Sequence, residues 1–122
     1  MGARVNQLPL IISSVGLSKR DQRALELAIE FAQELDAPCR YAGVDSTLGH
    51  LVVVDVDSDA GRSALSRLKE DQLKLLLASE RITGKNIVSL IKPVKFQLLK
   101  PLIIKMAEEF RNKNRGGLER VS

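Results

Sequence analysis

The chain has 122 residues, a formal net charge of +4, and a composition that is 44% hydrophobic but only 3% aromatic. This length suits one domain with its own core and excludes two domains of ordinary size, and the scarcity of aromatic residues requires an aliphatic core. Cys39 is the single cysteine, which excludes an internal disulfide and predicts a buried structural thiol in a reducing compartment.

The sequence predicts a cytoplasmic protein without membrane insertion. Its start, MGARVNQLPLIISS, has no cleavage pattern of a signal peptide, and no apolar run approaches the roughly 20 residues that span a bilayer. We expect 1–7 to be a flexible start and the basic segment 111–122 to be a disordered tail. No aromatic pair typical of RNA-binding proteins accompanies the basic segment, so nucleic acid is not an expected partner.

The first half of the chain predicts a strand, a helix and two further strands. The apolar run LPLIISS (8–14) is typical of a strand covered on both faces. A helix is predicted over 19–36, with Ser18 as its cap. CRYAGV (39–44) and LVVVDV (51–56) are the next strands. The helix should bury one apolar stripe, formed by Ala24, Leu25, Ala28, Phe31, Ala32 and Leu35.

The second half predicts a helix, two strands and a final helix. DSDAGRSALSRLKED (57–71) is helical in pattern, with Ser58 or Asp59 as cap. Strands follow over 73–79 and 87–92. The last helix is predicted from FQLLKPLI to about Arg111 or Lys113, with Pro101 inside it or in its first turn. Its stripe of Leu98, Leu102 and Met106 is expected to face the core, although it could also receive a partner helix.

Apolar strands that alternate with amphipathic helices indicate an α/β sandwich of three layers around a five-stranded parallel sheet. In such sheets the loops at the carboxyl ends of the strands form the binding crevice. His50 precedes the third strand without a ligand partner at metal-binding spacing, so we expect a loop histidine. The residues expected at the crevice are Ser13, Ser14, Asp55, Asp57, Ala78, Ser79, Lys92 and Pro93.

Two stretches resemble the receiver domains of two-component signalling proteins, especially those of hybrid histidine kinases. HLVVVDVDS is similar to the receiver strand that carries the phosphorylated aspartate, and IVSLIKPVKFQLLKPLI is similar to its closing strand and last helix. Over 8–110, the resemblance implies a flavodoxin-like fold with Asp55 as candidate phosphoacceptor. It also implies that Lys92, directed by Pro93, pairs with the phosphate, and that the hydroxyl position falls on Ser79 or Ala78.

The chain departs from the receiver pattern in its metal ligands and in its connections. Ser13 and Ser14 stand where receivers have two acids, and two hydroxyls cannot replace two carboxylates on Mg²⁺. Asp55 and Asp57 are the remaining metal candidates, so we expect no cofactor unless Asp55 is active, and we expect Lys92 to form an ion pair with Asp55. The connections before 51 and after 79 are short, which predicts shortened or missing second and fourth helices.

The resemblance implies a non-enzymatic receiver-like module, a pseudo-receiver, that regulates or binds a protein partner in a phosphorelay. That partner would be a kinase or another signalling domain, in the same parent chain or a separate one, and a homodimer stays open. One alternative is an active receiver phosphorylated on Asp55. Another is a domain that binds a small molecule such as a cyclic dinucleotide, through arginines among Arg40, Arg62, Arg81 and Arg111.

Overall fold

The structure, a computed structural model, describes residues 9–35, 39–44 and 46–121, so the predicted flexible start lies outside the described residues. Within these ranges, five strands and three helices follow one another. Their bounds are β1 (Leu10–Val15), α1 (Lys19–Glu34), β2 (Cys39–Val44), β3 (Leu51–Asp55), α2 (Asp59–Leu65), β4 (Leu73–Ala78), β5 (Ile87–Ile91) and α3 (Phe96–Val121).

All five strands are parallel, in the order β2-β1-β3-β4-β5. This is the strand order of the flavodoxin-like doubly wound fold, so the fold class predicted from the sequence is confirmed. Within the described residues, β2 connects to β3, and β4 to β5, without a helix. Among the described residues, the second and fourth helices of the receiver pattern are therefore missing, as the short connections predicted.

The sheet has an aliphatic core on each face, because successive residues of a strand point to opposite sides. Leu51 and Val53 of β3 belong to the larger core, whose helical members come from α1 and α3. Val52 and Val54 belong to the smaller core, which Ala64 of α2 covers. Two helices thus cover one face and one short helix the other, which gives the predicted three layers.

The helix starts follow the predicted caps. Ser18 accepts a hydrogen bond from the backbone N–H of Asp21, and Ser58 accepts one from the backbone N–H of Gly61. Both serines have extended backbone angles, as N-cap residues usually do.

Two helix ends differ from the prediction. α2 ends at Leu65, not near Asp71, because tight i to i+3 bonds replace helical ones: Arg67 N–H donates to the Ala64 carbonyl, and Leu68 N–H to the Leu65 carbonyl. α3 continues to Val121, past the predicted end at Arg111 or Lys113, so the backbone of the predicted tail is helical. The Lys, Arg, Glu and Leu residues of this segment are good helix formers.

Two residues expected in the core are exposed. Leu35 ends α1 as its C-cap and is 55% exposed. Leu98 is 52% exposed, because α3 turns Leu99, Ile103 and Ala107 to the core, and adjacent helical positions differ by about 100°. Pro101 lies inside α3. None of the described helices is long and apolar enough to cross a membrane.

Cys39 lies at the start of β2 and is buried, as predicted, with its Sγ 3.7 Å from the Ile29 carbonyl oxygen. Burial raises the pKa of the thiol from 9.0 to about 11.

We expect Cys39 to react with a thiol reagent at neutral pH about 100-fold more slowly than an unperturbed cysteine, because the thiolate is the reactive form. The native state holds the proton more tightly than the unfolded state, so the free energy of unfolding should also fall as pH rises from about 9 to about 11. Reagent kinetics and alkaline unfolding of wild type and Cys39→Ala measure the two effects. Equal alkaline sensitivity in Cys39→Ala would contradict the second.

Candidate functional site

Asp55 and Lys92 meet at the carboxyl edge of the sheet in the ion pair that the sequence predicted. The Lys92 Nζ lies 3.1 Å from Oδ1 and 3.0 Å from Oδ2 of Asp55. The same Nζ lies 3.0 Å from Oδ2 of Asp57. One ammonium group therefore bridges two carboxylates, and we call these three residues the Lys92 bridge.

The bridge is sheltered unevenly from solvent. The side chain of Asp55 is 8% exposed, that of Lys92 is 27% exposed, and that of Asp57 is 39% exposed. Hydrogen bonds to Asp57 and then to Asp55 raise the pKa of Lys92 above its ordinary value of 10.5, so the lysine is fully charged at neutral pH. The arrangement balances the buried charge of Asp55 without a further ion.

The turn after β3 holds the Asp55 carboxylate in place. Oδ1 of Asp55 accepts a hydrogen bond of 2.9 Å from the backbone N–H of Asp57. The Asp55 carbonyl accepts bonds from the backbone N–H of Ser58 at 3.2 Å and from its hydroxyl at 2.8 Å. Ser58 thus caps α2 and ties it to the end of β3, so the bridge has a fixed backbone on one side.

Two glycines allow this turn to pack closely against β1 and α2. A Cβ at Gly61 would overlap the Asp55 carbonyl oxygen and lie 2.7 Å from the carbonyl carbon. Gly16 follows β1 with φ +79, a left-handed conformation that favours glycine, and a Cβ there would overlap the Ser58 hydroxyl. The role of Gly61 was missed in the sequence, where it reads only as a weak point in a helix.

The structure does not bring Ser13 and Ser14 together with Asp55. Ser14 pairs with Val53, and Val15, the last residue of β1, pairs with Val54, the residue before Asp55. The Ser13 hydroxyl accepts a 3.1 Å hydrogen bond from the backbone N–H of Gly49. Both serines are buried. The Ser13 hydroxyl binds the loop before β3, and the Ser14 hydroxyl binds α1.

Ser14 belongs to a closed ring of hydrogen bonds that the sequence analysis missed. Its hydroxyl donates to Oε1 of Gln22 at 2.9 Å and lies 2.7 Å from the Tyr41 hydroxyl. Because the Ser14 proton is used on Gln22, the Tyr41 hydroxyl donates to Ser14. Nε2 of Gln22 donates to the Tyr41 hydroxyl and, at 3.1 Å, to Glu26. The ring joins β1, β2 and α1. No sequence pattern signals it, because its members are distant along the chain.

The other predicted site residues lie beside the bridge. Lys92 N–H donates to the Ala78 carbonyl at 2.9 Å, and Ala78 pairs with Ile91, so Ser79 is level with Lys92. Ser79 is exposed, and so is Pro93, whose peptide bond with Lys92 is cis. Both residues therefore adjoin the carboxyl edge without taking part in the bridge.

The residues at this edge do not fit the magnesium site implied by the receiver resemblance. Asp55 and Asp57 are both engaged by Lys92, and the hydroxyl of Ser14 is held by Gln22 and Tyr41. No group of three or more His, Cys, Asp or Glu side chains converges anywhere among the described residues. Mg²⁺ dehydrates reluctantly and is held by carboxylates. This donor set suits the ammonium group that it already binds.

One comparison with known proteins finds a similar structure. The chain is similar to a solved structure described as the BeF3-activated DrrB receiver domain, with a TM-score of 0.60 and 18% sequence identity, over 84% of this chain and 99% of that chain. No protein-family model and no curated protein matches the sequence. The chain therefore has the receiver-domain fold, and at this level of identity the likeness is one of fold.

Proposed function

We propose that this chain is a receiver-like signalling module that acts through contact with a protein partner and not through phosphotransfer. The observation that carries the proposal is the Lys92 bridge. A single ammonium group engages both Asp55 and Asp57 at the place where a phosphoacceptor would need a free carboxylate and a divalent cation. Such a module belongs to a two-component pathway and is not an enzyme.

Two exposed apolar side chains that flank Lys92 in the sequence support a partner role. Ile91 ends β5 and is 56% exposed, and Leu98 in the first turn of α3 is 52% exposed. β5 is the edge strand of the sheet, and no helix lies between it and β4 within the described residues. Exposed apolar side chains on an open edge favour a protein partner over a purely solvated surface.

A titration with Mg²⁺ and beryllofluoride, a phosphoryl mimic, tests the proposal. We expect the amide NMR signals of Asp55, Asp57 and Lys92 to stay unchanged, because the ion pair blocks both carboxylates. Lys92→Met serves as a comparison that frees them. Saturable shifts around Asp55 in the wild-type chain would overturn the proposal and establish a phosphoacceptor.

The second candidate is an active receiver phosphorylated on Asp55. It is favoured by the position of Asp55 at the end of β3, where its carboxylate contacts Lys92 directly. For this activity Lys92 would have to release Asp57 and bind the phosphoryl group. The titration above separates this candidate from the first.

Binding of a cyclic dinucleotide is less well supported. The four arginines considered for it belong to four different parts of the chain: Arg40 to β2, Arg62 to α2, Arg81 to the β4–β5 connection and Arg111 to α3. Arg62 is also engaged, since it donates to the Asp57 carbonyl at 3.1 Å and pairs with Asp59. β2 and β5 are opposite edges of the sheet, so no common arginine cluster results.

A further inference from the structure

A groove of about 620 Å³ lies at the amino edge of the sheet, opposite the Lys92 bridge. Pockets that bind small molecules are typically about 300–1,000 Å³. One wall is formed by residues that precede or begin β3, β4 and β5, and the other by the second half of α3. β3 has five residues, so at about 3.3 Å per residue the groove lies roughly 16 Å from Asp55. The groove is separate from the candidate site described above.

The base of the groove is held by the side chain of Gln72. Its Nε2 donates to the carbonyl of Thr47 at 2.9 Å and to the carbonyl of Gly49 at 2.8 Å. Its Oε1 accepts a 2.7 Å bond from the backbone N–H of Lys69. The two Nε2 bonds fix the loop before β3 against the loop before β4, and the Oε1 bond holds the loop before β4 on itself. The groove is therefore formed in advance of any ligand, as binding pockets usually are.

An aromatic pair lines the groove. The rings of His50 and Phe110 have centroids 4.4 Å apart and planes inclined by 33°. Nδ1 of His50 accepts a 3.0 Å hydrogen bond from the backbone N–H of Ile11, so the neutral imidazole carries its proton on Nε2. His50 is an exposed residue. It therefore offers a fixed aromatic surface together with one N–H donor.

The charged side chains around the groove balance. Lys69 and Lys113 are matched by Asp71 and Glu109. A balanced rim gives no preference for a polyanion such as nucleic acid, which is bound by clustered cations. An aromatic surface with a hydrogen-bond donor and mixed charges suits a flat ligand that has polar atoms along its edge.

We infer that this groove binds a planar heteroaromatic small molecule of about nucleoside size, stacked on the His50–Phe110 pair. The inference is independent of the proposed function, because it concerns the opposite edge of the sheet. A ligand there would contact the loop before β3 and the second half of α3 together.

The test is an NMR titration of the full chain with adenosine as probe. We expect saturable shifts of the Ile11, His50 and Leu73 amide signals, with a Kd of about 1 mM or tighter for a ligand of this size. Because the probe is uncharged, the Kd should be the same at about 50 mM and about 500 mM salt. Absence of saturable shifts, or shifts centred on Asp55, would overturn the inference.

The variant His50→Asn sharpens the test. Its Oδ1 replaces Nδ1 as the acceptor for the Ile11 N–H, while the ring and the Nε2 donor are lost. Binding of adenosine should weaken about five- to tenfold, the size of effect expected for one aromatic contact. Leu27→Ala, at an exposed position on α1 away from the groove, is the control and should bind like wild type.

A second variant covers the case in which His50→Asn does not fold. Phe110→Leu keeps an apolar side chain on α3 and removes only the aromatic surface. It should also weaken adenosine binding about five- to tenfold. If a folded variant of either residue binds as tightly as wild type, the aromatic pair does not form the site and the inference fails.

Discussion

Replacement of Lys92 by methionine is expected to lower the free energy of unfolding at pH 7 by about 1–3 kcal/mol. Methionine keeps the apolar length of the side chain and removes only the charge. Asp55 then stays buried without its cation and close to Asp57, so desolvation and repulsion both act against the folded state. The partial exposure of Lys92 and Asp57 keeps the loss below that of a fully buried pair. Urea unfolding at pH 7 measures it.

Two further variants distinguish the effect of losing the ion pair from the effect of losing any positive charge. Lys95→Met, at an exposed lysine close by in the sequence, should change the free energy of unfolding by less than about 0.5 kcal/mol. The double variant Lys92→Met/Asp55→Asn removes both partners and should recover part of the loss, because no buried charge remains unpaired. The double variant should lose less free energy of unfolding than Lys92→Met and Asp55→Asn lose in sum. A larger loss would mean that the ion pair is not the source of the effect.

The sign of the pH dependence follows from the pKa of Lys92. That pKa is raised in the folded state, so the bridge contributes fully below pH 10.5 and its contribution is lost as pH rises through the folded value. Stability curves of wild type and Lys92→Met should therefore converge at alkaline pH.

The fold and the bridge could be predicted from the sequence because their signals are local and ordered along the chain. Buried parallel strands are apolar throughout, and LVVVD is found as β3 with every residue buried. Because the carboxyl ends of parallel strands meet at one edge, Asp55 and Lys92 were expected to meet. The short connections likewise left too few residues for two of the five helices.

What could not be predicted depends on contacts between distant residues. The ring of Ser14, Gln22 and Tyr41 requires the register of β1 against β2 and the rotation of α1, neither of which one sequence specifies. The receiver resemblance assigned Ser13 and Ser14 to the positions of the missing acids, but it did not reveal that the Ser13 hydroxyl accepts from Gly49 and the Ser14 hydroxyl donates to Gln22. The end of α2 was misjudged for a different reason, because the tight turns after Leu65 depend on local hydrogen bonds that helix propensity does not describe.

Gly61→Ala is expected to destabilise the protein by about 3 kcal/mol, although alanine is the better helix former by about 1 kcal/mol. The new Cβ would overlap the carbonyl oxygen of Asp55, a backbone atom that cannot rotate away. Relief requires α2 to move from the end of β3, which would stretch the two bonds from Ser58 to that carbonyl. The Asp55 carboxylate would then shift relative to Lys92, so their NMR signals should change as well.

Ser63→Ala in the same helix is the matched control, because Ser63 is exposed and the substitution raises helix propensity without a clash. It should leave stability equal to wild type or slightly higher in urea unfolding. If Gly61→Ala is as stable as Ser63→Ala, the close approach of α2 to Asp55 does not exist in solution. The position of the Asp55 carboxylate would then need another source of rigidity. A loss confined to Gly61→Ala, together with shifted Lys92 signals, would instead show that one missing methyl group permits the backbone contact on which the bridge depends.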